Sequence, residues 1–274
     1  VVLWTAFSAA FAAIMSTLFI PLCLVALGIV LRGAGFAFKG VAARSRNRRA
    51  ADLIFGISSL LTPFFMGTVI GAVASGRVPP GNAQGDLLSS WLNPVSLLTG
   101  LLFVATSAYL AAVFLIHDSR RFGLPELVAY FRLRALVAGV VSGAVAVVAM
   151  FVYRADARYL YDGLTGDGLP LVLVSLLCGI AALALLWRGG RGARVPAVGA
   201  VVTMVWAWGV AQYPYLLPQT LTIEAGAGAP ATLRWVPIVF AVAVVVVLPS
   251  LFLLFTLAQR DLVEESVETG PRES

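Results

Sequence analysis

Seven runs of roughly twenty apolar residues along a chain of 274 constrain this sequence more than anything else in it. In hydrocarbon a backbone must satisfy its own N–H and C=O groups, and a run of that length does so as a spanning helix. The runs are roughly Ile14–Leu31, Leu53–Ala74, Pro94–Ile116, Ala135–Tyr153, Leu169–Trp187, Val195–Tyr213 and Trp235–Ala258. Val1–Ala13 is apolar as well, and reads as the end of an earlier element or an extension of the first span. Charged residues make up 12% of the chain and hydrophobic ones 60%. An ordinary soluble protein carries about 25% charged residues, so a water-covered surface of normal polarity is excluded. The predicted fold class is therefore all-α, a polytopic membrane protein. Residues 1–258 are expected to form one transmembrane helical domain. An acidic tail at 259–274 (Glu264, Glu265, Glu268, Glu273) is expected to be solvated and frayed.

The cations are distributed unevenly between alternate connections. The 32–52 loop, the 117–134 loop, the 188–194 loop and the C-terminal tail hold fifteen Lys and Arg, while the opposite connections hold Arg77, Arg154, Arg158 and Arg234. Cytoplasmic loops carry the excess of Lys and Arg, which predicts a cell-membrane protein whose C-terminus is cytoplasmic. The same bias explains the net charge of +6, and no nucleic-acid partner is expected. Trp91, Trp187 and Trp235 stand at span ends, where amphipathic rings favour the headgroup layer. Gly67-x-x-x-Gly71 and Gly139-x-x-x-Gly143 place small residues on one helix face, the pattern that lets helices approach closely in lipid. Pro21, Pro63 and Pro249 inside spans imply local kinks.

The chain is poor in site chemistry. His117 is its one histidine, followed by Asp118, Arg120 and Arg121 in a stretch read as a solvated loop. A haem with two protein axial ligands, or a zinc site, needs more partners. Cys23 and Cys178 are read as small buried hydrophobes, and the four methionines as core filler. No Asp or Glu falls in the middle of a span, where ion-coupled carriers usually place ionisable groups. No metal site and no catalytic residue is expected in this chain, and the residues alone lead to a seven-span membrane subunit without cofactor ligands.

Several ordered segments then resemble subunit II of cytochrome bd quinol oxidase. They include V-V-L-W-T-A-F at Val1–Phe7, F-A-A-I-M-S-T-L-F-I-P-L at Phe11–Leu22, and A-L-G-I-V-L-R-G-A-G-F-A-F at Ala26–Phe38. Further blocks are Leu61–Pro79, Ser90–Leu101, Tyr109–Leu115, A-Q-Y-P-Y-L-L-P-Q-T-L-T-I at Ala211–Ile223, and Leu248–Leu257. The resemblance covers essentially the whole chain. It implies a respiratory complex that oxidises quinol and reduces dioxygen to water. It also implies that haem b and haem d lie in a partner, subunit I, and that subunit II serves as a scaffold and in some members helps carry protons. A small single-span subunit is a further partner the resemblance allows, besides membrane lipid. The family has eight helices, so one more is expected before Val1. A second departure is Phe7-Ser8-Ala9, where family members commonly read F-P-E.

Six residues stand out as site candidates. Arg32 ends an apolar run; it is read either as an anchor snorkelling to the headgroups or as a proton-path or interface residue. Tyr213, Pro214 and Tyr215, with Pro218, are read as a rigid outer turn, the alternative being a contact with subunit I or a quinone. Trp91 and Asn93, before Pro94, are read as an interfacial anchor and the start of the third span. Two rivals to the oxidase reading are a permease for a small neutral or lipidic substrate and a scaffold without catalytic coupling.

Overall fold

Six of the seven apolar runs fall on one helix each, and most of the helices are longer than the runs. The structure, a computed structural model, describes residues 2–42 and 48–268. Its order is α1 (Val2–Ala6), α2 (Ser8–Thr17), α3 (Phe19–Ala42), α4 (Arg48–Ala74), α5 (Pro94–Arg121), α6 (Pro125–Asp156), α7 (Arg158–Thr165), α8 (Leu169–Trp187), α9 (Arg194–Gln212), β1 (Tyr215–Leu217), β2 (Leu221–Thr222), α10 (Ile223–Gly226) and α11 (Pro230–Glu268). Among the described residues seven helices are long and apolar enough to cross a membrane: α3, α4, α5, α6, α8, α9 and α11. The protein is all-α and polytopic, with one short antiparallel hairpin, β1–β2.

Three expectations are corrected. The first span does not run unbroken from Ile14, because the helix breaks at Leu18. Pro21 has no N–H for the Thr17 carbonyl and its ring crowds that turn. The ladder resumes on either side, with Leu18 N donating to Ile14 O at 2.9 Å and Leu22 N to Leu18 O at 3.1 Å. Pro63 and Pro249, by contrast, lie inside the continuous helices α4 and α11. Second, the basic loops shrink. α5 runs to Arg121 and α6 starts at Pro125, so Arg132 and Arg134 are helical. α3 runs to Ala42, so Arg32 is helical too; Arg44 and Arg46 lie outside the described residues. Third, α11 continues as helix through Glu268, and Glu273 lies outside the described residues.

The chain divides into two compact units, Val1–Ser8 with Ala227–Ser274, and Ala9–Gly226. In the first, Gly228 N donates to Ala6 O at 2.7 Å, tying the start of α11 to α1. In the second, α4 and α5 touch backbone to backbone. A Cβ on Gly67 would lie 2.7 Å from Gly100 Cα, and one on Gly71 2.6 Å from Ser96 Cα. The first small-residue pair is therefore a packing seam. The second is only half of one: Gly139 packs on Leu183 and the Tyr109 ring, while Gly143 has no neighbour within 4 Å.

Two clusters mark opposite ends of this unit. Tyr109, Ile116, Ala135, Leu186 and Ala197 pack at the end carrying Arg120 and Arg194. Ala74, Val95, Tyr153, Leu160, Leu164 and Ala211 pack at the other, where the Tyr153 hydroxyl meets Thr99 Oγ1 at 2.8 Å.

Candidate functional site

At the end away from the clustered arginines, residues 75–93 and the β1–β2 hairpin form a built cap. Ser90 Oγ donates to Arg77 O at 3.2 Å, and Ala83 N donates to Ser16 Oγ at 2.8 Å, which lays this segment over the α2–α3 break. Asn93 caps α5: its Oδ1 accepts from Ser96 N at 3.0 Å while its Nδ2 donates to Ser90 O at 2.9 Å. Pro94 follows at the first helical position, where a missing N–H costs nothing. Trp91 is not the interfacial anchor expected. It is only 7% exposed, its ring packs edge-on to Phe65, and its indole N–H donates to Leu87 O at 2.9 Å. Trp187 and Trp235, by contrast, are 74% and 62% exposed.

Leu217, fully buried from β1, joins Trp91, Val78 and Leu18 in one cluster, so the hairpin closes onto this cap. Tyr213 and Pro214, joined by a cis bond, lead into it, and Tyr215 opens β1. Tyr159 Oη donates to Tyr213 O at 2.9 Å and its ring meets Tyr215 edge-on at 5.4 Å. Partial burial, then the neighbouring Tyr215, push the Tyr159 hydroxyl above its ordinary range. Asp86 shapes the segment before Trp91. Its carboxylate accepts from Ser89 N at 2.6 Å and Leu88 N at 2.9 Å. The Ser89 and then the Leu88 hydrogen bond hold it below the usual carboxylate range.

Arg32 stands apart from this cap. Gly28, Arg32 and Gly35 share the face of α3 that meets α4, where Gly28 lies against Thr62 and Gly35 against Phe55. The Arg32 guanidinium sits 5.7 Å from the Phe55 ring centroid. It lies five residues inside the end of the apolar stretch Phe19–Ala37, about 7.5 Å at 1.5 Å per residue. The structure does not bring Arg32 together with Trp91, Asn93 or Tyr213–Tyr215.

The arginines of the opposite end are engaged in a way the sequence reading missed. Arg120 Nη1 and Nη2 donate to Gly190 O at 3.0 Å and Gly189 O at 3.2 Å. Arg132 Nε donates to Leu186 O at 2.6 Å, and its Nη2 to Trp187 O. The Arg132 guanidinium thus reaches the last carbonyls of α8 and complements its dipole, while Arg120 holds the Gly189-Gly190 turn that follows. The signal in the sequence was the Gly189-Gly190 stop after Trp187.

A model of the cytochrome bd terminal oxidase subunit II family matches residues 1–258. The chain belongs to that family. A relative from Bacillus subtilis (strain 168), named "Putative cytochrome bd menaquinol oxidase subunit II", is 24% identical over 273 residues, covering 95% of this chain and 78% of that protein. The solved structure of bd oxidase from Geobacillus thermodenitrificans matches the fold with a TM-score of 0.65 at 22% identity, over 87% of this chain and 72% of that one. The protein is thus a multi-pass membrane subunit of a quinol oxidase complex, an oxidoreductase, and a permease is not favoured.

The family implies haem in the complex. His117 is exposed near the end of α5. Among the described residues no group of three or more His, Cys, Asp or Glu could hold a metal ion. Cys23, expected buried, is exposed on α3, and Cys178 is half-buried.

Proposed function

We propose that this chain is the haem-free half of its oxidase, and that a haem-bearing subunit I supplies every axial ligand. The observation that carries this is the exposure of His117, which belongs to no group of three or more His, Cys, Asp or Glu among the described residues that could hold a metal ion. Electrons then pass from quinol to dioxygen through the partner, while this subunit supplies a rigid membrane scaffold. The relative's name speaks of menaquinol; the substrate class carried over here is quinol. The uneven placement of Lys and Arg supports an orientation with the C-terminus in the cytoplasm. The test is a reduced-minus-oxidised spectrum of the purified complex with His117→Ala. Unchanged b and d bands are expected; loss of either band refutes the assignment.

For Arg32, its depth supports anchoring and its exposure supports a charge at the partner interface. Burying an uncompensated Arg at the centre of a helix in hydrocarbon costs about 2.5–3.5 kcal/mol, and a side chain within snorkelling reach of the headgroups avoids most of that. A role beside the proton path requires turnover to depend on the charge. Arg32→Gln in the intact complex, with haem content verified, is expected to lower oxygen consumption while leaving assembly intact. Unchanged consumption leaves Arg32 as an anchor.

A further inference from the structure

A cavity of about 560 Å³ opens at the arginine-rich end of the second unit, between the α5–α6 turn and the α8–α9 turn. Its lining includes Arg120 and Arg191 and no carboxylate. Arg120 is fixed there by its two hydrogen bonds to Gly189 and Gly190 carbonyls, which leave its remaining N–H donors available. Arg191 is exposed on the same turn, and Arg132 braces that turn from behind through Leu186 O and Trp187 O. α6 starts at the cavity with Pro125 at its first position, and its N-cap Leu124 offers no side-chain acceptor to the first-turn N–H groups. Glu126 in that turn and Asp118 on α5 are the acids nearby. Neither lines the cavity.

The chain therefore preorganises positive charge around an open cavity and provides no internal counter-ion within its lining. Large apolar side chains adjoin the lining residues in sequence: Phe122 before Gly123, Trp187 two residues before Gly189 and Val195 at the start of α9 are all strongly exposed. A soluble anion would use only the guanidinium groups. A phospholipid uses both features, with its phosphate in the cavity and its acyl chains along the apolar flank. We propose that this cavity binds the phosphodiester headgroup of an anionic phospholipid through Arg120 and Arg191.

The experiment is native mass spectrometry of the delipidated complex with subunit I, titrated with dioleoyl phosphatidylglycerol, with dioleoyl phosphatidylcholine, or with inorganic phosphate. Phosphatidylglycerol is expected to be retained under activation that strips phosphatidylcholine. Arg191→Gln, which removes no bond to the protein's own turn, is expected to weaken that retention about five-fold, the worth of one cation near a charged surface. Arg191→Lys is expected to restore most of it, and Arg154→Gln, at the other end of α6, to leave it unchanged. Equal retention of the two lipids, or an Arg191→Gln complex that binds like the parent, overturns the proposal. Binding of inorganic phosphate without binding of phosphatidylglycerol assigns the cavity to a soluble anion and overturns it as well. The readout is lipid mass alone and stands apart from haem content and turnover.

Discussion

Gly71→Ala, set against Gly143→Ala, tests whether the α4–α5 seam is a backbone contact. At Gly71 the added Cβ would lie 2.6 Å from Ser96 Cα, 2.9 Å from Thr99 Oγ1 and 3.0 Å from Thr99 Cβ. Carbon atoms rest at about 3.5–4 Å, so the two helices must part by about 1 Å. The nearest atom is backbone and cannot swing aside as a side-chain end could. Overpacking of this kind costs about 1–3 kcal/mol. Replacing Gly by Ala inside a helix returns about 1 kcal/mol. The partial loss of the Thr99–Tyr153 hydrogen bond, at 2.8 Å in the parent, pushes the balance further toward destabilisation. The expected net is a loss of about 1–2 kcal/mol, taken from the upper half of the overpacking range. At Gly143 no atom lies within 4 Å of the new methyl group, so the propensity gain stands alone and the variant is expected to be stabilised. The assay is thermal unfolding of the complex with subunit I, followed by intrinsic tryptophan fluorescence at matched detergent. Gly71→Ala should lower the midpoint and Gly143→Ala should raise it. A Gly71→Ala midpoint that rises alongside that of Gly143→Ala would refute the seam.

Two further predictions concern the cap. Asn93→Ala removes the side-chain acceptor from Ser96 N and the donor to Ser90 O at a buried position, and is expected to cost about 1–2 kcal/mol in the same thermal assay; an unchanged midpoint would mean that Pro94 alone sets the start of α5. The Asp86 carboxyl is depressed below its unfolded value, so its contribution to the 86–89 turn is present above the unfolded pKa of about 3.9 and is lost as pH falls through the folded value. Hydrogen exchange at Leu88 and Ser89 is therefore expected to lose protection on acidification from pH 6 to 3 in the parent and to lack that pH step in Asp86→Asn; equal profiles would separate the turn from this carboxylate.

The legibility of the site was uneven for identifiable reasons. Asn93 and Pro94 were readable because capping chemistry is local: three residues and one hydrogen bond define it. Trp91 was misplaced because a tryptophan at a span end looks the same whether it faces headgroups or a folded connection; the packing of Leu217 and Val78 from distant segments buries it. Arg120 and Arg132 read as solvated loop cations because their acceptors lie 54 to 70 residues away. Arg32 read as a boundary residue because the apolar run stops there, yet α3 continues through Gly33-Ala34-Gly35 to Ala42.

The sequence by itself determined the number of spans, their helical nature and the family. Hydrophobicity over about twenty residues is a property of composition, and the membrane leaves the backbone a single local solution. It also determined that ligating side chains are scarce. The tertiary structure decided where the helices actually end, which glycine pair is a seam, and which arginines face a cavity. Those outcomes depend on atoms brought together from remote positions. A periodicity cannot report such partners; Gly71 and Gly143 occupy equivalent places in the same motif, and only the neighbouring Ser96 backbone distinguishes them.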